Sequence, residues 1–204
     1  IKGNANIPGD KSISHRSIII PSISNGVCEI SNILKSDDVM HTMSAFKNMG
    51  VQIEESKKKL FIYGKGLNSL KKSKKTIYLG NSGTSARLLT GLLSSQKFNS
   101  VLVGDKSLSK RPMKRIADPL KKMNAKIDTT NGSLPLFIKG NNLDAKNINI
   151  DIPSAQIKSG ILLASLNTEG ETKITEHKIT RDHTEIMLKS FGANIKTQRI
   201  ENKK

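Results

Sequence analysis

"MSAFKNMGVQIEES", residues 43–56, spaces apolar side chains as a helix does, stops at Gly50, and then alternates apolar and polar residues as a strand does. The same grammar returns in "ADPLKKMNAKIDTT" at 117–130 and in "IMLKSFGANIKTQR" at 186–199. Gly50, Asn124 and Gly192 hold the three equivalent stops, where a left-handed residue ends a helix. A supersecondary pattern recurring about every 70 residues implies a repeat architecture, and the rest of the chain is read against it.

Outward from these segments the helices fall into two kinds. Those before the stops are amphipathic, with Val39, Met43 and Phe46, or Met113, Ile116, Leu120 and Met123, on one face. A second set, "SIIIPSIS" (17–24), "ARLLTGLLSS" (86–95) and "GILLASL" (160–166), is apolar nearly all round and therefore buried. Pro21 is expected to kink the first of them. Strands are expected at 27–33, 53–63 with an internal turn, 76–79, 101–103, 134–139, 148–152 and 173–176. The fold expected is α/β: three βαβαββ units, about 8–70, 76–143 and 147–204, with the buried helices around a pseudo-three-fold axis. The third copy is short, because "GANIKTQRIENKK" stops where the first two continue into another strand.

Composition narrows the function. The chain has 204 residues, 35% of them hydrophobic, with no Trp, two Tyr and five Phe, so its core is aliphatic. No apolar run approaches the roughly 20 residues of a membrane span, and the first residues lack a secretory pattern, so no membrane partner is expected. A lone Cys28 forms no internal disulfide and belongs to no Cys/His ligand set, which leaves cytoplasm as the expected setting and no metal. The net charge of +17 raises a nucleic-acid module as an alternative. The excess is mostly Lys scattered through "ESKKKL", "LKKSKK" and "PLKKMN" with few aromatics to stack on bases, so solvated faces explain it better.

Each buried helix has a polar, hydroxyl-rich opening: "GDKSISHR" (9–16), "GNSGTSAR" (80–87) and "PSAQIKSG" (153–160). Units packed about one axis bring these openings together, and a helix start, with free N–H groups and the positive dipole end, attracts anions. Lys11 and Arg16 supply charge, Ser12 and Ser14 hydroxyls. Gly80 and Gly83 permit close backbone approach beside Asn81, Ser82, Thr84 and Arg87, and the third opening adds Ser154, Gln156 and Lys158. One such cluster is only a cap; three at matching positions, each with Lys or Arg, describe a pocket for carboxylate or phosphate groups.

Other polar residues have plainer readings. His15 is expected to be a packing or hydrogen-bonding residue, and "DHTE" (182–185) a helix cap rather than an Asp–His dyad. Asp37 and Asp38 are expected to cap the helix that follows, Arg87 to be a buried structural partner, and Cys28 a small core residue on a strand.

"PGDKSISHR", "LGNSGTSARLLTGLL", "GDKSLSKRPM", "SAQIKSGILLASL" and "TRDHTEIML", in this order, resemble the amino-terminal half of the 5-enolpyruvylshikimate-3-phosphate synthases, the 3-phosphoshikimate 1-carboxyvinyltransferase family. The resemblance runs over essentially the whole chain and implies a two-domain enzyme, each domain built of three βαβαββ units. Family members are about twice this length; their carboxyl-terminal half brings a catalytic Asp, a Lys–Glu pair and further Arg and His residues, and those motifs do not occur here. The start too is expected to lack several residues.

By motif position, Lys11 resembles the lysine between both substrates, and Ser12 with Arg16 the pair that binds the shikimate carboxylate. Ser154, Ala155 and Gln156 match the segment holding shikimate-3-phosphate, and Arg181 a further ligand of it. Asn81, Gly83, Thr84 and Arg111 match the phosphoenolpyruvate side, with Arg111 as phosphate clamp; Lys11 and Arg111 are the catalytic cations so implied. At the position of Gly83 a methyl group discriminates against glyphosate in the family, so Gly implies sensitivity. No cofactor is implied. The isolated chain is expected to bind substrate without activity, its partners being shikimate-3-phosphate, phosphoenolpyruvate and the missing half. A relative of the UDP-N-acetylglucosamine enolpyruvyl transferases is the other enzyme considered; the strand placement of Cys28 and the opening motif count against it.

Overall fold

The structure, a computed structural model, describes Lys2 and residues 7–199. Along the chain, α1 (Lys11–Ser22) leads to β1 (Asn25–Ile30), α2 (Asp37–Asn48) and the hairpin of β2 (Gln52–Ser56) and β3 (Lys59–Lys65). β4 (Ile77–Tyr78) is followed by α3 (Gly83–Ser94), β5 (Ser100–Val103), a 3-10 turn over Leu108–Lys110, α4 (Lys114–Lys122) and a second hairpin, β6 (Lys126–Thr130) and β7 (Ser133–Lys139). β8 (Asn147–Ile150), α5 (Ala155–Ser165), β9 (Lys173–Glu176) and α6 (His183–Ser190) complete an α/β fold.

Among the described residues three sheets result. The first is antiparallel in the order β1-β3-β2; the second runs β4-β5-β7-β6, with β4 parallel to β5 and the remainder antiparallel; the third is the parallel pair β8-β9. Both hairpins turn through two residues of positive φ, Lys57 with Lys58 and Asn131 with Gly132, the geometry that matches strand twist. α1, α3 and α5 carry the core: Ile18, Ile19, Leu88, Leu89, Ile161 and Leu163 are wholly shielded from water. α3 and α5 approach at Gly91 and Gly160, where a Cβ on Gly91 would lie 1.8 Å from the Gly160 carbonyl oxygen. Only glycine allows that backbone contact.

The stops at Gly50, Asn124 and Gly192 have φ of 88°, 70° and 89°, as their positions in the pattern require. The buried helices begin earlier than their apolar runs suggest. Asp10, Ser82 and Ser154 each accept the backbone N–H three residues on, at 2.8, 3.1 and 3.4 Å, so the polar openings are first turns of helix rather than loops before it. Pro21 falls in the last turn of α1, which continues to Ser22, so its missing N–H affects the helix end rather than its middle. No paired strand follows Gly192: the alternating residues 193–199 lack a ladder partner among the described residues, and alternation alone does not make a strand. Cys28 does stand on β1 but is only half-buried, and burial raises its thiol pKa above the ordinary value.

Candidate functional site

A cleft of about 230 Å³ opens where the starts of α1, α2, α3 and α5 meet. Lys11 enters from α1, Gly83 and Thr84 from α3, and Gln156 from α5, while Asn81 and Arg111 come from the segments before α3 and after the 3-10 turn. Arg111 Nη2 donates to Asn81 Oδ1 at 2.5 Å, which fixes the guanidinium over the turn that opens α3.

The third helix is tied to the second by a short chain of side chains. Arg87 Nη1 donates to Gln156 Oε1 at 2.8 Å and to the Gly83 carbonyl at 3.1 Å, and Gln156 Nε2 donates to Thr84 Oγ1 at 3.0 Å. Arg87 thus acts as the structural partner its sequence context suggests, and it orients the Gln156 amide. Its pKa is pushed below the ordinary value by burial and by the neighbouring Arg111 and Arg115 charges. Several cations crowd a polar cleft, and an anion placed there relieves their repulsion.

His15 is buried behind Ser82, a residue that lines the cleft. Nδ1 lies 2.9 Å from Thr42 Oγ1 and 3.1 Å from Ser85 Oγ, Nε2 lies 3.2 Å from Ser82 Oγ, and Ser82 and Ser85 hydroxyls are 2.8 Å apart. Burial pushes its pKa down to about 4; Asp38 opposes the shift, and Lys11 and Arg16 reinforce it. A neutral imidazole satisfied by three hydroxyls is a hydrogen-bonding core residue, not an acid or base in the cleft.

Five of the residues singled out by motif position do not line this cleft: Ser12, Arg16, Ser154, Ala155 and Arg181. Arg16 is 3% exposed and donates to Thr184 Oγ1 at 2.5 Å, the Ser12 carbonyl at 2.9 Å and Ser159 Oγ at 2.8 Å, which locks α1 to α5 and α6. Burial lowers its pKa, as does the charge of Arg181, while the Glu185 and Asp10 carboxylates oppose the shift. Lys158, from the same opening, turns away into a buried cluster with Glu176 at 2.8 Å and Glu185 at 2.7 Å. Glu185 of "DHTE" is therefore an inward partner of Lys158, and Asp182 precedes α6 without a side-chain cap bond.

Sequence reasoning missed Asp38 as a cleft residue. Asp37 and Asp38 occupy the first turn of α2 rather than its cap position, which Ser36 holds, and the Asp38 carboxylate pairs with Lys11 in the cleft. A local reading sees only favourable acidic charge at a helix start; the pairing depends on α1 and α2 being adjacent. Among the described residues no three His, Cys, Asp or Glu side chains gather as a metal site requires, and no helix is long and apolar enough to cross a membrane.

Residues 1–203 match the family model described as EPSP synthase (3-phosphoshikimate 1-carboxyvinyltransferase). The protein of that enzyme name from Vesicomyosocius okutanii is 54% identical over 97% of this chain and 46% of its own length. Its counterpart from Leuconostoc citreum is 48% identical over 97% of this chain and 46% of its own length. The solved EPSP synthase of Acinetobacter baumannii superposes with a TM-score of 0.92 at 50% identity, covering 96% of this chain and 45% of that one. The chain spans about half the length of the curated relatives it matches. It belongs to the EPSP synthase (3-phosphoshikimate 1-carboxyvinyltransferase) family.

Proposed function

We propose that this chain is the substrate-binding half of a 3-phosphoshikimate 1-carboxyvinyltransferase: it holds shikimate-3-phosphate and phosphoenolpyruvate, and turnover requires a second half of comparable size. The observation that carries the reading is the meeting of Lys11, Thr84 and Gln156, from three separate helix openings, with Arg111 in one polar cleft. In the reaction the 5-hydroxyl of shikimate-3-phosphate gives up its proton and adds to the phosphate-bearing carbon of phosphoenolpyruvate while the methylene carbon takes a proton and becomes a methyl group; phosphate then leaves as that methyl group loses a proton, which restores the double bond. Lys11 and Arg111 stabilise the developing negative charge, while the proton movements fall to carboxylates of the second half.

Asn81, Gly83, Thr84 and Arg111 serve the phosphoenolpyruvate side; Ser12, Arg16, Ser154, Ala155, Gln156 and Arg181 serve the phosphorylated substrate. The crowding of Arg16 by Arg181 supports the second assignment, since an anion between them offsets that repulsion. The architecture we infer is three copies of one βαβαββ plan about a pseudo-three-fold axis, within 8–70, 76–143 and 147–204; the shared sheet order around β1-β3-β2 and β5-β7-β6 supports it. A cytoplasmic setting fits a chain whose one cysteine is unpaired.

Calorimetry with shikimate-3-phosphate, run beside an assay for enolpyruvyl product, tests this directly. Weak binding with no product is expected, and phosphate release should appear when the second half is added as a separate polypeptide. Turnover by this chain alone would overturn the division of labour. Absence of substrate binding, with tight duplex DNA binding at physiological salt in its place, would favour the basic module instead.

A further inference from the structure

A second cleft, of about 200 Å³, lies at the other end of β4 from the first and shares no lining residue with it. Residues 72–76 form one wall and residues 99–101 the other. The strand register opens it. β4 pairs with β5 through Ile77 and Tyr78, at Leu102 and Val103, so among the described residues the chain before Ile77 has no ladder partner on β5. Ser100 and Val101 keep their ladder on the far side, with Ile138 and Phe137 of β7. Ser73 shapes the departing loop: its hydroxyl donates to the Lys75 carbonyl at 2.8 Å and accepts the Lys75 N–H at 3.3 Å.

The lysines of "LKKSKK" (70–75) read in the sequence as a solvated face, yet the fold turns three of them, Lys72, Lys74 and Lys75, onto one cleft. None of the three forms an ion pair among the described residues, and no Asp or Glu lines the cleft. Like charges gathered in this way repel, and an anion among them offsets the repulsion. The opposite wall supplies a different group. Ser100 shares the inward face of β5 with Leu102 and is 8% exposed, but its Oγ has no hydrogen-bond partner among the described residues. A buried hydroxyl without a partner is costly, and for packing alone a small apolar side chain serves better at an inward strand position. Thr76 and Asn99, both exposed, add a further hydroxyl and an amide.

We infer that this cleft is a binding site for a dianionic phosphate group, either the free ion or the terminal phosphate of a small phosphomonoester. Lysine ammonium groups act on such a group as point charges, and the Ser100 hydroxyl donates to one of its oxygens. The cleft is smaller than the roughly 300 Å³ at which pockets begin to enclose a drug-sized ligand, so it suits the phosphate group rather than a whole nucleotide. No aromatic residue lines it, which leaves bases no stacking surface and disfavours a nucleic-acid strand as the occupant. The site is independent of the enzymatic reading, since the two clefts have no residue in common.

Inorganic phosphate is the probe, titrated into the full chain at constant ionic strength while backbone amides are followed by NMR. Shifts at residues 74–76 and 99–101 should saturate, and chloride should not reproduce them. Lys74→Gln/Lys75→Gln should raise the Kd read from these amides by about tenfold or more. Ser100→Ala should raise it by about threefold or more. Arg111→Gln, confined to the first cleft, should leave it within about twofold. Methyl phosphate separates the two sources: binding comparable to inorganic phosphate assigns the site to a terminal phosphomonoester, and its exclusion assigns it to the free ion. The inference is overturned by shifts that grow linearly or follow chloride, by a Kd unchanged in the lysine or the serine variant, or by loss of the shifts in Arg111→Gln. Tighter binding of oligothymidylate than of phosphate at physiological salt overturns it in favour of a nucleic-acid face.

Discussion

Arg87 Nη1 lies where a side chain on Gly83 would begin: a methyl group there would stand 2.7 Å from it, and 3.0 Å from Arg111 Nη1. Arg87 is held by Gln156 and by the Gly83 carbonyl, so relief of the clash moves a guanidinium at the cleft. Gly83→Ala should therefore perturb ligand binding more than folding. In an enzyme completed with its second half, the unmodified protein should be glyphosate-sensitive. The added methyl should weaken glyphosate by about tenfold or more while raising the KM for phosphoenolpyruvate only a few-fold. Inhibition constants at fixed phosphoenolpyruvate decide it; a resistant parent that the methyl leaves unchanged would remove Gly83 from the pocket.

The His15 cage predicts a pH dependence of stability. Its folded pKa, about 4, lies below the ordinary 6.5, so above pH 6.5 both folded and unfolded states are neutral and its contribution is complete. Between pH 6.5 and 4 the unfolded chain binds a proton that the folded chain refuses, and about 3 kcal/mol of stability is lost across that window. Denaturant midpoints measured from pH 7.5 to 4.5 should fall more steeply for the parent than for His15→Gln. Parallel curves would mean that His15 is protonated in place.

What the sequence made legible was whatever is encoded within one turn of backbone. The stops at Gly50, Asn124 and Gly192 are local conformational requirements, and Lys11, Asn81, Gly83, Thr84, Arg111 and Gln156 sit so near helix starts or a tight turn that converging helices carry them into the cleft. Relationships set by tertiary distance were not legible. Asp38 meets Lys11, and Lys158 finds Glu185, across gaps no local pattern specifies. The extents of α1, α3 and α5 were misjudged because their caps precede polar first turns, which look like loops when hydrophobicity is followed. Residues 193–199 alternate as a strand should, yet a ladder needs a neighbour.

Lys158 is the cation for two largely buried carboxylates, and Glu185 Oε2 has no hydrogen-bond partner among the described residues. Burial raises the Glu176 pKa, but hydrogen bonds from Lys158 and Thr180 outweigh it and hold the carboxyl below its ordinary value. Lys158→Met should cost about 3 kcal/mol at pH 7, because it strands both carboxylates. The loss should shrink as pH falls toward 4 and the Glu176 carboxyl protonates, and Lys158→Met/Glu185→Gln should recover part of it at pH 7. Thermal unfolding across that range checks the sign: a loss that does not depend on pH would show that the damage is packing alone.

Ser154 is where cap and ligand can be told apart. Its hydroxyl accepts the Ile157 N–H at 3.4 Å, a longer bond than the 2.8 Å at Asp10 or the 3.1 Å at Ser82, so its capping contribution sits near the weak end of the range. Ser154→Ala should cost only about 0.5 kcal/mol of stability. If the same hydroxyl holds the phosphate of the phosphorylated substrate, its removal deletes a charge-assisted hydrogen bond, and affinity for shikimate-3-phosphate should fall by about tenfold or more. Shikimate, which lacks the phosphate, should bind the parent and the variant nearly alike. Calorimetry with the two ligands on both proteins separates the roles. A drop confined to shikimate-3-phosphate makes Ser154 a phosphate ligand, whereas equal drops for both reduce it to a cap whose loss loosens the start of α5.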